Sequence, residues 1–256
     1  MRIVTWNVNG IRAAARKGMM ARVDALRPDA LVLQEVRATP DQLGDDLREP
    51  AGWRIEWHSA QRPGYSGTAA WSRRSMKIEG RGMDGDADEE GRVLVARIDG
   101  IRVVNTYLPS GSSSEERQRI KDAWLPVYGA WLAGFARSKV PTIICGDLNI
   151  AHTPRDIFYA KANEGTSGFL PHERKWMGDL LASGWHDVVR EEAGERDGPY
   201  TWWSNRGQAR ALDRGWRIDY ILCNKAARKL VTGVAVHREE SLGISDHAPV
   251  SVDLDV

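Results

Sequence analysis

A mixed α/β fold, made of two packed sheets with helices outside them, is predicted for this 256-residue chain by three features. Short β-rich runs recur from end to end, bounded by Gly, Asn, Asp or Pro. Between them lie stretches whose apolar residues recur every three or four positions, the period of a helix with one buried face. The run "ARIDGIRVVNTY" turns at Asp99-Gly100, a dipeptide suited to the positive φ of a two-residue hairpin. Part of the sheet is therefore antiparallel, which disfavours a simple doubly wound fold.

In chain order, the expected strands are 2–8, 30–36, 54–60, 67–73, 92–100, 101–108, 141–150, 217–224, 233–238 and 248–256, each rich in Val, Ile, Thr or aromatic residues. Helices are expected around Met19 to Leu26, Gln118 to Phe135 and Glu173 to Leu181. The acidic stretch 84–90, "DGDADEE", begins like a calcium loop. Its sixth position is Glu89 rather than Gly and its twelfth is Val95 rather than Glu, so a solvated loop is the expectation. No Pro-rich or Ser-rich linker interrupts the chain, and residues 1–256 are expected to form a single domain.

The 36 basic residues against 35 acidic ones leave a formal charge of +1, so no global field draws the molecule onto polyanions, and any anion site must be local. Arg outnumbers Lys by 28 to 8, which suits phosphate recognition but equally reflects a codon bias. The two cysteines, Cys145 and Cys223, sit in apolar runs as small hydrophobes and point to a reducing, cytoplasmic setting. The N-terminal "MRIVTWNVNG" is too short in apolar residues for a signal segment, and no run approaches a membrane span.

Several β runs end abruptly in polar residues: Asn7 and Asn9, Glu35, Tyr107, and Asp147 with Asn149. Ligands collect outside the carboxyl ends of strands in α/β sheets, so these side chains could share one rim. Asp246 and His247 precede the last strand and join that rim if it runs antiparallel. Singly, each reads as well as an Asx-turn, a surface carboxylate or a packing tyrosine. As a set with Asp219, they are oxygen-rich and lack soft donors, which suits Mg²⁺ without excluding Mn²⁺. Metal-assisted hydrolysis of a phosphate ester is the implied reaction. No G-x-S-x-G is present, and the one G-x-G-x-x-G match, "GRGMDG" at 80–85, runs into the acidic stretch instead of opening a helical pattern, so it gives a dinucleotide reading no support.

The segments "VTWNVNGIRA", "LVLQEVRA", "GYSGTA", "EEGRV", "NTYLPSGSSSEERQRIK", "IICGDLNIAH", "SGFLPHERKW", "YTWWSNRGQARALDRGWRIDY" and "SDHAPV" together resemble the exonuclease III type of abasic-site (AP) endonucleases. These belong to the endonuclease/exonuclease/phosphatase superfamily. The resemblance implies a four-layer α/β sandwich of two packed mixed sheets flanked by helices. It also implies Mg²⁺-dependent cleavage of DNA on the 5′ side of abasic sites, with 3′-to-5′ exonuclease or 3′-phosphodiesterase activity beside it. A mainly exonucleolytic enzyme, or a phosphatase with a non-DNA substrate, is the alternative. Double-stranded DNA containing abasic sites is the expected partner of a cytoplasmic monomer.

Carried over by motif, the resemblance makes Glu35 the main metal ligand, with Asn7 and Asn9 close by and Asp246 at a second or alternative metal position. Asp147 orients or deprotonates the attacking water, and Asn149 positions it. His247 contacts the scissile phosphate and is steadied by Asp219, while Tyr107 bonds the phosphate or assists the leaving oxygen. The metal set as a whole takes in Glu35, Asn7, Asn9, Asp147, Asn149, Asp246 and His247. Trp202, Trp216 and Ile218 line a pocket for the base-less sugar. Arg206 enters the duplex, and Arg12, Arg117 and Lys121 contact its backbone. The chain departs from the pattern at Glu164, Gly165 and Thr166, where relatives carry lysines, and at Ala87, where an aromatic residue is common. The first departure predicts a shallower salt dependence of DNA binding.

Overall fold

The computed structural model describes residues 1–84 and 88–256; Ala87, and the expectation attached to it, lies outside the described residues. Twelve strands are present: β1 (Arg2–Asn7), β2 (Ala30–Gln34), β3 (Arg54–His58), β4 (Thr68–Ser72), β5 (Met76–Arg81), β6 (Val93–Ile98), β7 (Ile101–Tyr107), β8 (Thr142–Asp147), β9 (Trp185–Asp187), β10 (Asp219–Asn224), β11 (Val231–Val236) and β12 (Val250–Leu254). They form two six-stranded sheets, ordered β11-β12-β1-β2-β4-β3 and β5-β6-β7-β8-β10-β9. In each sheet one central pair is parallel, β1 with β2 and β7 with β8, and the other pairs are antiparallel.

The helices are α1 (Ile11–Arg16), α2 (Met19–Leu26), α3 (Asp45–Arg48), α4 (Glu115–Ala136), α5 (Pro171–Ala182), α6 (Val188–Ala193) and α7 (Lys225–Arg228). Apolar side chains of both sheets interleave in a shared core, including Ile3, Val32 and Val252 from one and Leu94, Val103, Ile143 and Ile221 from the other. The outer face of the first sheet is covered by α1 and α2 through Ile11, Met19 and Val23. Leu125, Tyr128, Leu132 and Met177 of α4 and α5 cover that of the second. Four layers result, as expected from the sequence.

The hairpin expected at Asp99-Gly100 joins β6 to β7, with φ of 42° and 87° at the two turn residues. Two strands escape the sequence reading: β9 has three residues, and β5, "MKIEGR", alternates charge with apolar residues as edge strands do. The short helices α1, α3, α6 and α7 span too few turns to show a period. Strand β10 begins at Asp219 rather than Arg217, whose backbone amide donates to the Asp156 carbonyl outside the sheet. The solvated-loop expectation for 84–90 needs correction at Asp88 and Glu90, among the described residues of that stretch. Asp88 accepts hydrogen bonds from the Arg92 and Val93 amides at 2.6 and 2.8 Å and lies 3.2 Å from His58, while Glu90 pairs with Arg92 and Arg117.

Among the described residues no helix is long and apolar enough to cross a membrane.

Candidate active site

The parallel pairs aim the carboxyl ends of β1, β2, β7 and β8 at one rim. Strand β12 runs antiparallel to β1, so Asp246 and His247, just before it, arrive at the same rim. Strand β10 runs antiparallel to β8 with Asp219 opposite Asp147. Asn7, Asn9, Glu35, Tyr107, Asp147, Asn149, Asp219, Asp246 and His247 are thereby gathered from six chain segments. Gly146 permits the close approach: a Cβ there would lie 2.0 Å from the Thr106 carbonyl oxygen.

Hydrogen bonds bind the rim into one network. Asn7 Nδ2 donates to Asp147 Oδ2 at 2.9 Å, and Asn9 Nδ2 to Asp246 Oδ1 at 2.9 Å. The Asn149 amide donates to Asp147 Oδ1 at 2.9 Å, and its side chain to the Leu108 carbonyl at 2.9 Å. His247 Nδ1 lies 2.9 Å from Asp219 Oδ2, and its Nε2 is 3.8 Å from Asp147 Oδ2. Asn9, Glu35, Arg37 and Asn149 hold left-handed backbone, with φ between 47° and 56°. For Glu35 and Arg37 this costs about 1–2 kcal/mol each, strain of the kind that collects where side chains must be aimed.

Supporting residues outside the expected site set complete the frame. Ser245 Oγ donates to the Asn7 carbonyl at 2.7 Å and accepts from the His247 amide, and Trp6 Nε1 donates to the His247 carbonyl at 3.0 Å. Thr201 Oγ1 accepts from the amides of Ile218 and Asp219 at 3.1 and 3.0 Å. Arg92, buried beneath the rim, stacks 4.8 Å from the Tyr107 ring and donates to the Tyr107 carbonyl. Arg37 pairs with Glu35. Ser245 had a local signal, the Ser-Asp-His turn, and Arg37 lies two residues from Glu35; the contacts of Trp6, Arg92 and Thr201 join residues distant in the chain.

Charge is unevenly compensated here. Burial pushes the Asp147 carboxyl up to about 7, against the pull of His247 and with a further push from Asp219 and Glu35. Burial disfavours the His247 imidazolium, but Asp219 and Asp147 overcome it and raise its pKa to about 10. Burial, with Glu35 and Asp147 nearby, drives the Tyr107 hydroxyl well above its usual range, so it stays protonated. Asp246 is held below its usual range: His247, Asn9 and Trp202 outweigh its burial. Ligand atoms of Asp147, Asp219 and His247 lie within 4.8 Å of one another, but the imidazolium already occupies Asp219. The carboxylates that remain are hard oxygen donors in mutual repulsion, and such a set suits a divalent cation.

Residues 4–247 match the profile of the endonuclease/exonuclease/phosphatase family. The chain belongs to that family. It is 34% identical to the DNA-(apurinic or apyrimidinic site) endonuclease of Dictyostelium discoideum, over all of this chain and 71% of that protein. Identity to the exodeoxyribonuclease of Bacillus subtilis is 32%, over the whole of both chains. The AP endonuclease structure from Archaeoglobus fulgidus superposes over the whole of both chains with a TM-score of 0.90 and 26% identity. A metal-dependent hydrolase of this family accounts for the acidic rim.

Beside the rim of this family member lies an apolar cluster. Ile218, Phe169, Ile157 and Ala151 form its buried base, with Trp202 and Trp216 partly exposed over them. The two indoles meet edge to face at 6.1 Å, and Trp202 Nε1 donates to Asp246 Oδ2 at 3.1 Å. Arg217 is fully buried, 2.7 Å from Asp156 and 2.8 Å from Asp187. Side chains alternate along extended backbone, so drawing Arg217 inward turns Trp216 and Ile218 to the cluster. Gly168 packs closely on the cluster: a Cβ there would lie 3.2 Å from Trp216 Cζ3, and its φ is +89°. Trp203 is a core residue, 1% exposed, whose indole donates to Asp213.

The structure divides the basic residues expected to face DNA. Arg12 on α1 and Arg206 in the 204–215 loop are exposed. Arg117 is mostly covered and pairs with Glu90 at 3.1 Å. Lys121 does not reach the surface, contrary to expectation. It is 0% exposed, 2.5 Å from Glu173 and 2.9 Å from the Asn149 carbonyl, so it braces the Asn149 turn instead of meeting a phosphate. Its position on the long helix α4 gave no sign of which face it occupies. Glu164, Gly165 and Thr166 are exposed, as a DNA-facing loop would require.

Proposed function

We propose that this protein is a Mg²⁺-dependent DNA-repair nuclease that hydrolyses the phosphodiester on the 5′ side of an abasic site in duplex DNA and leaves a 3′-hydroxyl. The observation that carries this reading is the continuity of the apolar cluster and the rim. Trp202 packs on the cluster, its indole donates to Asp246, and its backbone pairs with His247. A sugar without a base fits an apolar slot between Trp202, Trp216 and Ile218, and an attached base meets the indoles; selectivity follows from exclusion.

With the sugar in the slot, the scissile phosphate lies on the rim. The His247 imidazolium, protonated across neutral pH, donates from Nε2 to a phosphoryl oxygen and offsets the charge that grows there. Asp147, poised near neutrality, takes the proton of the attacking water, and Asn149 holds that water in line. The water oxygen bonds to phosphorus as the bond to the upstream 3′-oxygen breaks. Tyr107, kept neutral, is a hydroxyl donor beside the same phosphate. Glu35, with Asp246, Asn7 and Asn9 around it, would hold Mg²⁺, which supplies Lewis-acid stabilisation of phosphoryl charge. The reading takes the protein to act as a monomer.

A labelled duplex with one abasic analogue tests the reading. Cleavage 5′ to the analogue with Mg²⁺ and none with EDTA is expected. Trimming of an intact 3′ end with the abasic strand left whole would favour the exonuclease reading, which the likeness to an exodeoxyribonuclease supports.

A further inference from the structure

The segment 157–160 runs along the apolar cluster of Trp202, Trp216 and Ile218 with its side chains divided between two environments. Ile157 pairs with Trp216 across an antiparallel bridge, and Ile157 and Ala160 pack onto the slot cluster. The intervening Phe158 and Tyr159 face outward, 46% and 49% exposed. Their rings stand perpendicular at 4.7 Å, and the Arg214 guanidinium lies 5.8 and 5.7 Å from their centroids. The step is anchored. The Phe158 amide donates to the Gly215 carbonyl at 3.0 Å, the Phe158 ring meets Tyr200 at 6.5 Å, and Asn163 donates to the Tyr159 carbonyl at 2.8 Å.

Two large aromatic faces are thus held half in water beside Ile157 of the apolar cluster. An exposed arginine without a carboxylate partner among the described residues sits over them. Aromatic faces take any nucleobase by stacking, and a guanidinium takes the phosphate attached to it. We propose that Phe158, Tyr159 and Arg214 form a binding step for the nucleotide flanking the one in the slot when that flanking nucleotide is unpaired. A base inside a matched duplex is already stacked on its neighbours and cannot reach the rings. The step therefore selects a substrate class: lesions in frayed, mismatched or single-stranded DNA bind more tightly than lesions in a fully matched duplex. This rests on the nuclease reading above.

Two oligonucleotides with the same abasic analogue, one with matched flanks and one with mismatched flanks, separate the possibilities. Wild-type protein should show a lower KM for the mismatched flanks with a similar kcat. The Phe158→Ala/Tyr159→Ala double variant should raise that KM about tenfold and change the matched-duplex KM less than about twofold, as loss of stacking on one base requires. Tyr159→Phe keeps an aromatic face and should keep the preference, and an unchanged unfolding temperature excludes a misfolded double variant. A wild type without the preference, or a double variant that retains it, would overturn the step while leaving the nuclease reading intact. Failure of the wild type to cut either substrate would instead overturn the nuclease reading, and the step with it.

Discussion

Replacing Asp219 by Asn isolates the electrostatic role of the buried carboxylate behind His247. The substitution keeps an oxygen acceptor 2.9 Å from Nδ1 but removes the charge, while Asp147 remains 3.8 Å from Nε2. A unit charge pair about 4 Å apart at an effective dielectric of about 20 is worth roughly 4 kcal/mol, or about three pKa units. His247 should therefore fall from about 10 to roughly 7. The sign follows from the cation: a raised histidine is charged below its pKa and loses that charge as pH rises through it. Wild-type imidazolium persists to about pH 9, whereas the variant should lose about half of it near pH 7 and all but a few per cent by pH 8.5. Single-turnover cleavage of an abasic duplex between pH 6 and 9.5 is the assay, with imidazole NMR shifts as a direct readout. The variant should be near half-active at pH 7 and about thirtyfold slower at pH 8.5. A variant profile parallel to that of the wild type, or a His247 that still titrates near 10, would refute the argument.

Three further perturbations probe the pocket, the buried lysine and the frame. Trp216→Ala removes one wall of the slot and should lower discrimination between abasic and intact DNA by about tenfold or more, as the loss of 1–3 kcal/mol of shape selection implies; an unchanged ratio would return Trp216 to a packing role. Lys121→Met strands the buried Glu173 carboxylate and should cost about 3–5 kcal/mol of stability in denaturant titrations, with no change in the salt slope of DNA binding. A reduced slope would restore Lys121 to the DNA interface. Asp156→Asn removes the charge that neutralises buried Arg217 and also pairs with Arg190. Those guanidinium partners outweigh burial and hold Asp156 far below the usual carboxylate range, so its stabilisation is present above about pH 4 and lost progressively below it. Stability measured from pH 7 to 2 should thus fall more steeply in the wild type than in Asp156→Asn; equal slopes would show that another group governs acid unfolding.

Much of the rim was legible in the sequence because strand ends are local features. Asn7, Glu35, Tyr107 and Asp147 each follow a β run, and the hairpin at Asp99-Gly100 established that antiparallel pairs exist. Period-two and helical patterns reported most of the elements, since burial of one face is written residue by residue along a strand or helix. Three- and six-residue elements such as β9 and α6 carry too few positions for a period.

What the chain alone determined, then, is a mixed α/β architecture and an oxygen-rich set of candidate side chains; the match of its motifs to a known family supplied their roles. Only the tertiary structure decided which cations are free and which are structural. Arg206 and Arg214 are exposed, whereas Lys121 and Arg217 are buried against Glu173, Asp156 and Asp187. A basic residue reads the same in sequence whether its partner is a phosphate in solution or a carboxylate distant in the chain. Its role is set by desolvation and by partners that only folding brings within a few ångströms.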